Sequence, residues 1–269
     1  MFSEAESRKS APKTGLLYRL YARRLRNQIV AERIPHHVAV IVDGNRRWAA
    51  QRQLERASVG HRAGAQKVPE FLGWCEEAGI DVVTLYLLSS DNLSNRHSVE
   101  LQELFEIIAA LAAELAKNPN WRVQHVGSKD ALPPKLVAAL EAAEAAGDSR
   151  DAETPTLHIN LAVGYGGRKE IASAVHSIID EHQAAGGNLD SLADILTPEL
   201  IGEHLYTGGQ ADPDLVIRTS GEQRLSDFMI WQSAHSEFYF VEALYPDLRE
   251  VDFLRAIRDY SRRNRRFGS

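Results

Sequence analysis

Asp43 ends the apolar run Val38-Ala39-Val40-Ile41-Val42 and opens Asp43-Gly44-Asn45-Arg46-Arg47-Trp48. A carboxylate in that place can hold a divalent cation. The arginines beside it, Gly44 and the amides that follow suit an anion with several oxygens, such as a diphosphate. A second cluster lies far along the chain, where Leu215-Val216-Ile217 runs into Arg218-Thr219-Ser220-Gly221-Glu222-Gln223-Arg224-Leu225-Ser226. Arg218 and Arg224 flank a Ser/Gly turn there, so two guanidiniums can converge on one anion. His61 sits between Gly60 and Gly64, glycines that permit backbone to approach a ligand. Ser89-Ser90-Asp91-Asn92 closes another apolar run with hydroxyls, an acid and an amide. The plainer reading of each cluster is a polar turn with solvated arginines. A metal–carboxylate site ringed by arginine could also stabilise the charge that grows on a departing diphosphate. A nucleophile–base triad is not indicated, because no G-x-S-x-G occurs and the only cysteine, Cys75, lies in a helical pattern.

Such clusters need a scaffold that brings several strand ends to one edge. Residues 38–42, 81–88, 121–126, 156–163, 215–217 and 238–240 read as strands, rich in β-branched and aromatic side chains and bounded by polar turns. Between them come helical patterns: one from Trp48, one over 66–78 after a loop carrying Arg52, Arg56, His61 and Arg62, then 99–117, 133–146, one from Arg168, and 253–260. Gly164-Tyr165-Gly166-Gly167 is a glycine turn between strand and helix, but it is neither G-x-G-x-x-G nor a P-loop. Alternating strands and helices predict an α/β fold with a mostly parallel sheet and crossover helices. Residues 101–115 keep one apolar face through four turns, which fits a core helix or the wall of an apolar cavity.

The chain has 269 residues and a net charge of −6, which argues against general affinity for nucleic acid. With one cysteine, an internal disulfide is impossible, and a reducing cytoplasm is expected. The first residues lack the apolar core of a signal peptide. Leu16–Arg26 reads as a basic amphipathic helix, with Leu17, Leu20, Tyr21 and Leu25 on one face. It would dock on the body of the protein or lie on an anionic membrane as a peripheral contact.

The segments HHVAVIVDGNRRWA, TLYLLSSDN, NLAVGYGGRKEI, DLVIRTSGEQRLSDFMIWQ, SEFYF and the terminal RRFG resemble, in order, the motifs of the cis-prenyltransferases. That family includes undecaprenyl diphosphate synthase and shorter-chain Z-isoprenyl diphosphate synthases. The likeness runs from about residue 34 onward. It implies a catalytic domain over 35–269, preceded by an extension over 1–34. It implies a homodimer whose subunits enclose an apolar tunnel, with Mg²⁺ as cofactor. The implied substrates are isopentenyl diphosphate and an allylic diphosphate, joined with a new cis double bond. By the same resemblance Asp43 is the catalytic, Mg²⁺-linked acid, Glu237 a second metal-linked acid, and Asn92 the residue that assists proton removal. Gly44, Asn45, Arg46, Arg47, Trp48, Arg56 and His61 surround the allylic diphosphate. Ser89, Ser90, Asp91, Leu93 and Arg96 belong to the neighbouring substrate loop. Arg218, Arg224, Leu225 and Ser226 bind isopentenyl diphosphate, with Arg266 and Gly268 of the terminal R-x-G reaching a phosphate.

Four departures bear on specificity. Arg46 stands where many long-chain members have glycine, and Gln223 where many have histidine. Leu87 replaces a small residue on the strand bordering the tunnel, and Leu93 replaces tryptophan. A leucine at 87 adds bulk where a growing chain must pass, and close-packed interiors do not yield easily. The expected product is therefore short, (2Z,6E)-farnesyl diphosphate from geranyl diphosphate. The alternatives are a long-chain polyprenyl diphosphate synthase, or a non-catalytic partner subunit, which retention of Asp43, Asn92 and Glu237 disfavours.

Overall fold

Six short strands come together as one parallel sheet, ordered β3-β4-β2-β1-β5-β6, in a computed structural model that describes residues 15–95, 98–148 and 157–263. The strands are β1 (His37–Ile41), β2 (Val82–Ser89), β3 (Trp121–Val126), β4 (Leu157–Tyr165), β5 (Leu215–Arg218) and β6 (Glu237–Phe240). Every residue of β1 is buried, as its uninterrupted apolar run requires of a strand covered on both faces. Among the described residues, 35–248 form one compact unit, and 15–34 with 249–263 form a second.

In the larger unit the connections are helical: α2 (Asn45–Gln51), α3 (Ala57–Ala78), α4 (Ser90–Asn95), α5 (Ser98–Leu115), α6 (Pro134–Asp148), α7 (Gly167–Ala184), α8 (Leu189–Ile195) and α9 (Pro198–Glu203). One face of the sheet is layered. A row of Ile41, Tyr86, Ala162 and Val126, in register across four strands, packs with Tyr165, Phe228 and Met229. Two residues nearer the amino edge, Ala39, Thr84, Asn160 and Gln124 form the next row. Its polar members bond to one another through Gln210, and Thr84 also meets the ring of buried His37 at 2.8 Å. A buried polar row is tolerable only because these groups satisfy one another.

Arg56 does lie before the helix, but His61 and Arg62, expected in a loop, lie inside α3, which starts at Ala57 rather than at residue 66. Gly60 and Gly64 depress helix propensity, yet their lack of a side chain is what the packing here requires. A Cβ at Gly60 would come within 2.0 Å of the Asn45 carbonyl oxygen, and one at Gly64 within 2.4 Å of Asn45 Oδ1. The glycines let α3 lie directly against the start of α2, which itself begins at Asn45, before Trp48.

In the smaller unit α1 (Leu16–Arg26) packs on α10 (Glu250–Arg262). Its buried residues are Ala22 and Leu25, with the Tyr18 hydroxyl accepting from the Val251 amide at 3.4 Å. Leu17 and Leu20, expected to share a face with Leu25, are instead exposed. The helix thus turns a Tyr18–Ala22–Leu25 stripe inward and a leucine–arginine stripe outward.

Candidate active site

The order of the strands decides where a ligand can sit. From β1 the chain crosses to β2 on one side, and from β5 to β6 on the other, so β1 and β5 flank a topological switch point. Crevices in open α/β sheets form there, at the carboxyl ends of the strands. Asp43 follows β1, and Thr219 and Ser220 follow β5. Thr219 ties the two ends together: its hydroxyl donates to the Asp43 carbonyl at 2.7 Å and accepts from the Asp43 amide at 3.0 Å.

Charge is concentrated at this junction. The Arg218 side chain, 4% exposed, donates from Nη2 to Asp43 Oδ2 at 2.7 Å. Its Nη1 donates to Ser226 Oγ at 2.9 Å and to the Arg224 carbonyl. Its Nε is buried without a hydrogen-bond partner. Arg47 Nη2 lies 3.7 Å from the same Asp43 oxygen, and Arg47 also donates to the carbonyl and hydroxyl of Ser220. Burial pushes the Asp43 carboxyl up, but hydrogen bonds from Arg218 and Ser220 and the charges of Arg218 and Arg47 outweigh it and hold it below its ordinary value. A buried guanidinium is costly unless paired and bonded, and Asp43 supplies the only carboxylate recorded against Arg218 among the described residues.

Above this pair opens a cavity of about 670 Å³, lined on its polar side by Asp43, Gly44, Asn45, Arg46, Arg47, His61, Glu222 and Arg224. Glu100 braces that wall, its Oε1 lying 3.1 Å from His61 Nε2 and 3.3 Å from Arg46 Nε. The apolar side includes Val42, Ala49, Ala50, Leu54, Ala57 and Leu87. Leu87 is there because of paired irregularities in the sheet. Tyr86 pairs with Ala162 and Leu88 with Val163, leaving Leu87 as an extra residue. Ser89 then pairs with Tyr165, leaving Gly164 extra on β4 and restoring the frame. Bulges of this kind re-aim a side chain. Gly164 has φ +67°, and a Cβ there would stand 2.7 Å from the Ser128 carbonyl oxygen, so the position requires glycine.

The turn that carries Arg224 and Ser226 is unusual backbone. Ser220, Ser226, Asp227 and Met229 all have positive φ, a local strain that surrounding contacts must hold. Glu170, 1% exposed, is central to that support. It accepts from the Tyr165 hydroxyl, from Gln232 Nε2 at 3.2 Å and from the Tyr206 amide at 2.9 Å. Tyr165 in turn accepts from the Met229 amide at 3.1 Å, and Asp227 accepts from the Gly167 amide at 2.7 Å. Burial raises the Glu170 carboxyl above its usual value despite those donors. Tyr86 stacks on Phe228 with centroids 4.5 Å apart and donates to the Ser226 carbonyl at 3.3 Å.

Several expected residues lie outside the cavity lining. Trp48 donates from Nε1 to Asp247 at 2.9 Å and lies under Arg52, whose guanidinium is 4.2 Å from its ring centre. Arg56 pairs with Glu103 at 2.9 Å on the surface. Ser89, Ser90, Asp91, Asn92 and Leu93 run from the end of β2 into α4, at the same sheet edge as Asp43, with the Asn92 amide donating to Ser89 Oγ at 3.1 Å. Leu225 packs beside the Tyr86 layer. Glu237 does not join Asp43 within one chain. It is level with Leu215 and Val38 at the amino edge, roughly 16 Å of strand away. Arg96, Arg266 and Gly268 lie outside the described residues. Thr219, Glu222, Glu100 and Glu170 are site residues that had no role in the sequence reading. Thr219 and Glu222 were visible within the Arg218–Ser226 turn, whereas nothing local marks Glu100 or Glu170.

A family described as putative undecaprenyl diphosphate synthase matches residues 41–268. The chain belongs to that family, the cis-prenyltransferases. Among its curated relatives is (2Z,6E)-farnesyl diphosphate synthase of Thermobifida fusca, 53% identical over 252 residues, covering 94% of this chain and 97% of the other. Short-chain Z-isoprenyl diphosphate synthase of Mycobacterium bovis is 49% identical, covering 94% and 95%. A crystal structure of lavandulyl diphosphate synthase from Lavandula x intermedia, in complex with dimethylallyl diphosphate, superposes with a TM-score of 0.79 at 33% identity, covering 88% of this chain and all of that one. The cis-prenyltransferase fold thus accounts for the parallel sheet, and transfer of an isoprenyl group for a cavity walled by arginine on one side and by aliphatic side chains on the other.

Proposed function

We propose that this cis-prenyltransferase joins isopentenyl diphosphate to geranyl diphosphate and releases (2Z,6E)-farnesyl diphosphate after a single addition. The allylic C1–O bond breaks and diphosphate leaves with the bonding pair. A carbon–carbon bond forms from that C1 to C4 of isopentenyl diphosphate, and a proton leaves C2 as the cis double bond forms. Arg46, Arg47, His61 and the amides from Gly44 onward hold the allylic diphosphate and take up the charge that grows as it departs. Arg218, Arg224 and Ser226 hold isopentenyl diphosphate alongside. Asn92 assists removal of the proton; an amide is a poor base, so the released diphosphate accepts it.

The observation that carries this reading is one crevice lined by Asp43, Arg47, Arg224 and the bulged Leu87, with Arg218 bonded to Asp43. The names of relatives at about half identity support the short product. Among the described residues no three His, Cys, Asp or Glu side chains gather into a protein-only metal cage. Mg²⁺ needs none, since one or two carboxylates and substrate phosphates commonly hold it, so Asp43 with diphosphate oxygens fits. Bound there, Mg²⁺ would neutralise phosphate charge as the leaving group forms. Glu237 would act as the second metal-linked acid only in an arrangement that one subunit does not supply. The enzyme is read as a cytoplasmic homodimer, with Arg266 and Gly268 reaching a phosphate across the dimer. Incubation with labelled isopentenyl diphosphate and geranyl diphosphate tests this: incorporation should require Mg²⁺ and stop on chelation. Equal incorporation without a divalent cation would overturn the Asp43 assignment.

A further inference from the structure

The outward face of α1 is left exposed. Its inner stripe, Tyr18, Ala22 and Leu25, is taken up against α10, with Arg26 paired to Glu250 and Tyr21 bonded to Arg255. Leu16, Leu17 and Leu20 are left 73%, 83% and 53% exposed. At about 100° per residue they fall within one flank of the helix, and Arg19, Arg23 and Arg24 border or interrupt them. All three arginines are exposed. No acidic residue occurs between Gly15 and Val30, although the whole chain carries −6. No helix among the described residues is long and apolar enough to cross a membrane.

We propose that this face of α1 docks on an anionic lipid surface, with the leucines entering the headgroup–acyl boundary and the arginines meeting lipid phosphates. Apolar side chains flanked by cations on one helix face match that boundary on both counts. Charge disfavours the other occupants. A second copy laid symmetrically on this face would set arginines against arginines. The preceding residues carry Glu4 and Glu6 against Arg8, Lys9 and Lys13, so they bring no net negative charge. The inference is independent of the product assigned to the catalytic site.

The test is co-sedimentation of the full chain with vesicles of phosphatidylcholine alone, or of phosphatidylcholine mixed with phosphatidylglycerol. The protein should pellet with the mixed vesicles, stay in solution with the neutral ones, and be released by high salt. Leu17→Asp with Leu20→Asp should abolish pelleting. Replacing Arg19, Arg23 and Arg24 by Gln should weaken it about a hundredfold, at about fivefold per basic residue. Both variants should keep the wild-type melting temperature and turn over soluble substrates normally. Absence of wild-type binding to phosphatidylglycerol, or undiminished binding by either variant, would overturn the proposal. So would a change of oligomeric state in the leucine variant with vesicle binding intact, which would make the face a contact between copies.

Discussion

Replacing Asp43 by Asn should destroy turnover and yet tighten binding of diphosphate when no metal is present. In the free protein the Asp43 carboxylate lies 2.7 Å from Arg218 and 3.7 Å from Arg47. It thereby occupies the guanidiniums that a diphosphate would use, and it repels the anion that arrives. Two unit charges about 5 Å apart at an effective dielectric constant of about 20 interact by about 3 kcal/mol. The Asp43 side chain is 30% exposed, so solvent screening cuts that to about 1–2 kcal/mol, or roughly tenfold in affinity. The amide oxygen of Asn still accepts from Arg218, but a hydrogen bond between charged partners becomes a weaker one, at a cost of about 2 kcal/mol in stability. Calorimetric titration with sodium diphosphate in chelator should give the tighter constant for the variant. Adding Mg²⁺ should reverse the order, because the cation joins carboxylate and diphosphate only in the wild type. A folded variant that binds metal-free diphosphate no better than the wild type would refute the idea that Asp43 and the anion share the same arginines.

Two further perturbations probe the scaffold under the site. His37 is fully buried and burial lowers its pKa to about 4, so it is neutral in the folded chain near pH 7. Its folded value lies below the unfolded value of about 6.5, so its contribution is complete above 6.5 and shrinks as the pH falls toward 4, by up to about 3 kcal/mol. Denaturant melts across that window should show the loss, and His37→Gln should flatten it; an unchanged slope in the variant would remove His37 as the cause. Glu170→Gln places an amide NH₂ among donors from Tyr165, Gln232 and Tyr206, and should cost about 1–3 kcal/mol. Because the loosened turn carries Ser226 and Arg224, the KM for isopentenyl diphosphate should rise several-fold while the KM for the allylic substrate stays near normal. Equal effects on both constants would reduce Glu170 to general packing.

Two strands, 38–42 and 81–88, were legible because buried parallel strands need near-continuous apolar runs, whereas 121–126 shows the alternation of Trp121 and Val123 with Arg122 and Gln124 that suits an edge strand. The placing of Asp43 and Arg218 at one sheet edge was legible for the related reason that such runs end at the edge where ligands bind. What the chain conceals is pairing. The bulge that turns Leu87 into the cavity depends on Gly164 in another strand, so simple alternation along 81–88 predicts side chains but not the break in register. Glu237 begins β6, one residue before the strand expected at 238–240, and only its register with Leu215 puts it at the amino edge, away from Asp43. His61 lies in α3 and not in a loop, and the glycines beside it let that helix touch Asn45, a contact that no local pattern shows. Glu100 and Glu170 act through tertiary contacts alone. No spacing in the sequence announces them.

A cavity closed by Leu87 should limit the length of the product. Mass spectrometry of the isoprenyl alcohols released after incubation with geranyl diphosphate, isopentenyl diphosphate and Mg²⁺ should give one dominant fifteen-carbon species for the wild type. Leu87→Ala removes the side chain that β2 bulges into the cavity. It should shift the distribution to longer chains without loss of total incorporation. A wild-type product of fifty carbons or more, or a Leu87→Ala product of unchanged length, would contradict it.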